Sequence, residues 1–384
     1  MVILEEMKNR LVFVDLLRGW AAIVMIEVHV FNAFIIPATK DEGWFGILNF
    51  VNGLVAPAFL FVSGFVFVFV SERKLEDFRD FGKGFWKQLS RIGLIWVVGY
   101  ALHLPYFSLR RTLNETTTLG WLKFSQVDIL HCIAVGLLIL FFARIYVKRS
   151  EAFQWFLLML GAAVVLIAPL IWEADFVLRL PSALAAYVNG QHFSQFPMFN
   201  WLGFMMFGGF TAMAFVKARN AGREMAFLRA ASYVSGGLIV GGLLLIELPV
   251  RLPYVSTAIR ANPLFFGTRL GIVLLLMLVC WYYAERRKTE RSLVLDVSKE
   301  SLLVYAAHLM VVYGEFWDGK SLASLYGKTF TIVQCAMATA GLIFVMILFA
   351  KLWSWLKIRS FPTARLVSYA TGISFIILFL FRKA

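Results

Sequence analysis

Apolar runs of about twenty residues, separated by short polar stretches, recur along the whole chain. A helix needs about 20 such residues to cross a bilayer. The runs predict crossings over 13–36, 47–71, 85–104, 127–147, 153–171, 198–217, 228–249, 264–285, 293–316, 330–356 and 366–382. The tenth is overlong, so its end from Lys351 is expected at the membrane interface. The expected fold class is all-α: a polytopic integral membrane helix bundle of about 11 transmembrane helices. No linker, low-complexity tract or soluble domain interrupts it, so 1–384 reads as one integral domain.

The polar connectors give an orientation. Lysine and arginine gather after each even-numbered span: Arg73, Lys74, Arg79 and Lys83; Lys148 and Arg149; Lys217, Arg219 and Arg223; Arg286, Arg287, Lys288 and Arg291; Lys357, Arg359 and Arg365. The other loops are poorer, with Lys40, Arg179, Arg251 and Arg260, although Arg110, Arg111 and Lys123 run against the alternation. Basic loops stay cytoplasmic. The N-terminus is therefore expected inside and the C-terminus outside, which makes 105–126 and 172–197 the longer outer segments, available to an extracytoplasmic partner.

Composition strengthens the membrane reading. Of 384 residues, 60% are apolar and only 16% charged, with a mean hydropathy of +0.77, whereas soluble domains carry about 25% charged residues. The formal charge of +14 is assigned to cytoplasmic loops, so lipids and not nucleic acid are the expected neighbours. Cys132, Cys280 and Cys335 sit inside apolar runs and read as packing residues. The segment "MVILEEMKNR" mixes acidic and basic residues, and no small-residue cleavage site follows the first run, which reads as a retained span. The expected location is a cell membrane, a bacterial inner membrane in the first instance.

Against this background the first span stands out, because it carries Asp15, Arg18, Glu27 and His29. Intramembrane ionisable groups are costly in lipid and mark functional sites by default. Arg18 and His29 lie eleven residues apart, about three turns, on one face and about 16 Å apart. Asp15 is placed to pair with Arg18, and Asn32 to hydrogen-bond His29. Glu27 falls on another face and reads as a structural partner. A histidine here can also serve only to bridge helices.

Further candidates lie along the chain. Lys87 and Arg91 are one turn apart in the third span, as a phosphate-facing pair or as headgroup anchors. Asp128 and His131 are three apart where the fourth span begins, as an oriented imidazole for the acceptor's side or as an ordinary helix cap. Ser301, Tyr305 and His308 share a broad face of the ninth span. His103 and His192 fall near outer boundaries, His192 in "NGQHFSQFP", which could contact a sugar. Trp201 suits a sugar platform or the aromatic belt. The spacing of these residues predicts no metal site and no nucleotide phosphate loop.

Four stretches resemble the transmembrane acyltransferases, a group that includes the acyltransferase family 3 proteins and relatives of the heparan-alpha-glucosaminide N-acetyltransferase catalytic domain. "FVDLLRGWAAIVMIEVH" (13–29) is similar to their first-span pattern of arginine, ten residues and histidine. "APAFLFVSGFVF" (56–67) resembles the second span, "FPMFNWLGFMMFGGF" (196–210) the Phe-Pro-x-x-x-Trp-x-Gly segment, and "SKESLLVYAAHLMVVYG" (298–314) the Ser-Leu, Tyr, His span. The resemblance implies transfer of an acyl group, acetyl by preference, from cytoplasmic acyl-CoA to a hydroxyl or amine of an extracytoplasmic sugar or glycoconjugate. It implies no metal. His29 would be general base or acyl acceptor, with Asp128, His131 and His308 as further catalytic candidates. Arg18, Arg91 and Lys87 would face coenzyme A, and Asn32, His192, Trp201 and Tyr305 the acceptor. Relatives that transfer succinyl groups share much of the pattern, so the acyl group stays open, as does homo-oligomerisation.

The rival class is a proton-coupled transporter or a lipid or glycan carrier, which buried Arg, Asp and His would also suit. Such proteins show paired halves with broken helices in matching positions, and Pro57 and Gly64 have no evident counterpart.

Overall fold

The computed structural model describes residues 11–191, 193–247, 259–287, 292–314 and 320–382. His192 and the loop residues Arg251, Lys288 and Arg291 lie outside these. The principal helices are α1 (Val12–Phe34), α2 (Gly43–Asn52), α3 (Val55–Ser71), α4 (Lys83–Leu102), α5 (Ile129–Tyr146), α6 (Ser150–Glu173), α7 (Met198–Asn220), α8 (Glu224–Glu247), α9 (Pro263–Arg287), α10 (Leu293–Lys299), α11 (Ser301–Tyr313), α12 (Ile332–Arg359) and α13 (Phe361–Phe381). Among the described residues there is no strand beyond one isolated bridge, and the protein is an all-α polytopic membrane protein.

Eight helical stretches among the described residues are long and apolar enough to cross a bilayer: α2 with α3, α5, α6, α7, α8, α9, α12 and α13. The other three expected spans are also helical, and each departs from an uninterrupted apolar helix for a visible reason. α1 carries Asp15, Arg18 and Glu27, and α4 carries Lys83, Lys87 and Arg91. The ninth span is broken at Glu300 into α10 and α11, neither long enough alone.

The chain forms two compact units. The first comprises Met1–Val55, Leu102–Trp121 and Trp281–Ala384, and α1 is its core element. Val14, Leu17, Ala21, Met25 and Val30 are buried at three-, four- and five-residue spacings along one side of α1. Gly19 permits the close approach of α10: a Cβ there would lie 2.3 Å from the Val294 carbonyl oxygen. At the other end of α1, Ile36 N–H donates to Phe330 O (3.0 Å) and Phe330 N–H to Phe34 O (2.8 Å), tying α1 to the start of α12.

The second unit comprises Ala56–Ala101 and Leu122–Cys280. Its helices meet through small residues, which let backbones approach where no water drives association. A Cβ at Gly64 or Gly208 would fall 2.0 Å from the Met205 or Phe61 carbonyl oxygen, so α3 and α7 pack backbone to backbone. Between α8 and α9, Ser235 Oγ donates to Gly271 O at 2.8 Å. Arg144, 1% exposed, pairs with Glu72 at 2.9 Å and stacks on Phe153, fastening the segment after α3 to the end of α5.

Candidate active site

In the first unit, the start of α1 presents Arg18. Its Nη2 donates to Asp15 Oδ1 at 2.7 Å and its Nε to Ser298 Oγ at 3.0 Å. The expected i,i+3 pair is formed, and α10 adds a contact that the spacing did not reveal. Two donors of one rigid fork are thereby committed in fixed directions, and the carboxylate offsets the charge. Two residues after Ser298, at the C-cap of α10, Glu300 is 7% exposed and pairs with Lys357 at the end of α12.

Three turns along α1, His29 meets His308 of α11. His308 Nε2 lies 3.0 Å from His29 Nδ1, and the ring centroids are 5.0 Å apart. The proton positions follow from the remaining partners. His308 Nδ1 is 2.6 Å from Val304 O, which can only accept, so that nitrogen carries hydrogen and Nε2 of the neutral ring is an acceptor. His29 Nδ1 faces Met25 O at 2.9 Å as well as His308 Nε2, two acceptors, so it carries the proton. The hydrogen bonds thus assign the bare lone pair of His29 to Nε2. Tyr305 stands edge-on to both rings, and Tyr313 O–H donates to the His29 carbonyl at 3.2 Å.

Asn32 takes no part in this: it is exposed, and His29's partners are Met25, His308 and the two tyrosines. The helical turn brings Asn32 near His29 in sequence, but the ring turns toward α11. Glu27, on another face, accepts from Asn52 Nδ2 at 3.4 Å.

The second unit holds a polar cluster of its own. Asp128 is the N-cap of α5 and accepts from His131 N–H at 3.0 Å, while the His131 ring Nδ1 lies 2.6 Å from the same oxygen. The cap is formed, and the same carboxylate lies against the His131 ring. His131 is fully buried, 4.1 Å from the Tyr100 ring. Gly99 leaves room for it, since a Cβ there would be 2.9 Å from His131 Cε1. Trp96 Nε1 donates to Tyr187 Oη at 3.0 Å, and the hydroxyls of Tyr187 and Tyr100 are 3.3 Å apart. Tyr187, in the short helix Ser182–Val188, has its phenol pushed above the usual range, chiefly by burial. Lys87 and Arg91 are exposed on α4, opposite its buried residues Phe85 and Ile92.

Trp201 is buried, with its ring against Phe196 at 4.8 Å and Phe204 at 6.0 Å. Sequence reasoning missed Ser298, Glu300, Tyr313, Gly99 and Tyr187. Ser298, Glu300 and Tyr313 were visible inside "SKESLLVYAAHLMVVYG"; nothing local marked Gly99 or Tyr187. Among the described residues no group of three His, Cys, Asp or Glu side chains is arranged to hold a metal.

Fold and histidine site define a class: a multi-pass membrane protein with two facing imidazoles where α1 packs on α11. The family profile described as an acyltransferase domain, of the family 3 type, matches residues 11–350, and the chain belongs to that family. It is a membrane acyltransferase, which selects acyl transfer over the transport alternative, and the match is to the family 3 branch of the resemblance. No curated protein matches the chain.

Proposed function

We propose that this membrane acyltransferase moves an acyl group, acetyl by preference, from cytoplasmic acyl-CoA to a hydroxyl or amine of an extracytoplasmic sugar or glycoconjugate, with His29 as the catalytic base. The observation that carries this reading is the placing of His29 Nδ1 between two acceptors, Met25 O and His308 Nε2, which share its hydrogen and leave the lone pair on His29 Nε2. His29 Nε2 takes the proton of the acceptor as its oxygen or nitrogen attacks the thioester carbonyl. The tetrahedral adduct collapses with cleavage of the carbon–sulfur bond, and the imidazolium returns the proton to the leaving thiolate, giving free coenzyme A. His308 is a positioning residue: it accepts from Nδ1–H and supports the positive charge that develops on His29.

Arg18, held by Asp15 and Ser298, is the proposed donor contact. Lys87 and Arg91 are proposed phosphate contacts, and Asp128 and His131 proposed groups for the acceptor side. The alternation of basic loops supports a cytoplasmic N-terminus, which puts Arg18 toward the donor's compartment and His29 about 16 Å further on. The family match runs across both compact units and supports reading the chain as one acyltransferase domain in a cell membrane.

The test is free coenzyme A release from acetyl-CoA by the full chain in lipid nanodiscs with a glucosamine-containing acceptor. Release that disappears in His29→Ala while acetyl-CoA still binds is the expected result. Release indifferent to His29 would remove it from the chemistry and leave it a helix-packing residue.

A further inference from the structure

The start of α7 departs from helical geometry in a way the reaction above does not use. Asn200 has φ +77° and ψ −49°, inside the left-handed region that a non-glycine residue enters at a cost, and Phe199 before it is extended. The strain is held in place from several sides. Asn200 Nδ2 donates to the Arg260 carbonyl oxygen, and Trp172 Nε1 donates to Phe199 O at 3.4 Å. Gln195 and Phe196 both donate their N–H groups to Val127 O at 3.1 Å, and the Phe196 ring packs on Trp201.

This frame holds two polar atoms that nothing among the described residues satisfies. Asn200 is 3% exposed and Trp201 7% exposed, yet Asn200 Oδ1 and Trp201 Nε1 are buried without a hydrogen-bond partner. Because the Asn200 amide nitrogen is committed to Arg260 O, Oδ1 is fixed as the acceptor. The indole nitrogen can only donate. Buried polar groups are ordinarily paired, and leaving one unpaired is costly, so an unpaired acceptor and an unpaired donor on consecutive residues of a strained turn describe a complementary guest. A hydroxyl group is both donor and acceptor.

We propose that Asn200 Oδ1 and Trp201 Nε1 form a hydroxyl-recognition subsite of the second unit: the ligand O–H donates to Asn200 Oδ1, and Trp201 Nε1–H donates to a ligand oxygen. Taking that ligand to be a hydroxyl-bearing acceptor, and the hydroxyl one that is recognised and not acylated, rests on the acyl-transfer reading. Trp201 then acts through the edge of its indole, since its ring lies against Phe196 and Phe204.

The full chain in nanodiscs, labelled with 15N at the tryptophan indoles, tests this directly. The Trp201 resonance is identified as the one lost in Trp201→Phe. Titration with methyl β-D-glucopyranoside, the methyl glycoside of N-acetylglucosamine, or glycerol should shift it saturably for at least one probe. Trp201→Phe and Asn200→Gly, which tolerates the positive φ, should each weaken binding of that probe about 3- to 10-fold, as for one neutral hydrogen bond. An unmoved resonance with all three probes, or equal affinity in both variants, overturns the subsite and leaves the two atoms to a trapped water. Coenzyme A release on the same preparations separates the two ideas. A Trp201 shift without release sinks the acyl-CoA-to-sugar reading alone; His29-dependent release without the shift sinks the subsite alone.

Discussion

His308 Nε2 lies 3.0 Å from His29 Nδ1, joining residues 279 apart in the chain. Val304 O accepts from His308 Nδ1, and Met25 O and His308 Nε2 share the one hydrogen of His29 Nδ1, an arrangement of the neutral rings that directs the His29 lone pair to Nε2. If that lone pair is the base, His29→Ala should lower kcat by about 10²–10⁴-fold, the usual contribution of general base catalysis. His308→Ala should cost less, about 10–100-fold in kcat with little change in acceptor KM, because the base remains but loses one of the two acceptors that hold its tautomer and the one that faces its ring. His308→Gln, whose amide oxygen can accept from Nδ1–H, should recover part of the loss. Steady-state kinetics on the three variants decide this; equal losses in His308→Ala and His308→Gln would count against tautomer control.

Arg18 donates through Nε and Nη2 to partners on two helices. A lysine has one point of donation and cannot reproduce that fork. Arg18→Lys should therefore raise the KM for acyl-CoA nearly as far as Arg18→Ala, about tenfold or more, a loss of about 1.4 kcal/mol in donor binding. Full rescue by lysine would show that charge alone matters. Ser298→Ala should shift donor KM in the same direction by a smaller factor.

Asp128 caps α5 and also lies 2.6 Å from His131 Nδ1, two contacts that substitution can separate. Asparagine caps a helix about as well as aspartate, whereas alanine costs about 0.5–2 kcal/mol. Asp128→Asn should keep the thermal midpoint of the wild type and Asp128→Ala should lower it. If the carboxylate also orients His131 for the reaction, both variants should lose turnover, about tenfold or more. Full activity in Asp128→Asn would reduce the pair to a cap.

Gly19 sits where a Cβ would meet the Val294 carbonyl at 2.3 Å, and the obstacle is backbone. Gly19→Ala should push α10 from α1 and loosen the Arg18–Ser298 bond. Overpacking of this kind costs about 1–3 kcal/mol, so the thermal midpoint in detergent should fall and donor KM should rise together. A neutral outcome would mean that α10 shifts without strain.

Glu300 is 7% exposed and its partner Lys357 is half-exposed. Lys357→Met should leave a buried carboxylate without its cation and lower the thermal midpoint, while adding Glu300→Leu should restore much of it. A double variant no better than the single would show that the pair is not coupled.

How much of this was legible in the sequence follows from what is local. Eight of the eleven expected spans were readable because a run of about twenty apolar residues has few other uses in so hydrophobic a chain. Asp15 with Arg18 and Asp128 with His131 were readable because a helix brings i and i+3 together wherever it lies. That logic also gave Asn32 as the partner of His29, and there it was not enough. His29 had a neighbour on its own helix and a better-aimed acceptor on α11, and only the packing of α1 against α11 chose between them.

The sequence by itself determined the all-α membrane class, the family, and the polar stripe of α1, because hydropathy and helical period are properties of consecutive residues. Tertiary structure decided the partners of His29, the Ser298 and Lys357 contacts, the break at Glu300 and the left-handed turn at Asn200. These depend on how one helix is rotated against another. Helices apolar on nearly every side carry no stripe that would announce that rotation, so the contacts are set by small residues, backbone carbonyls and buried polar atoms meeting across the interface.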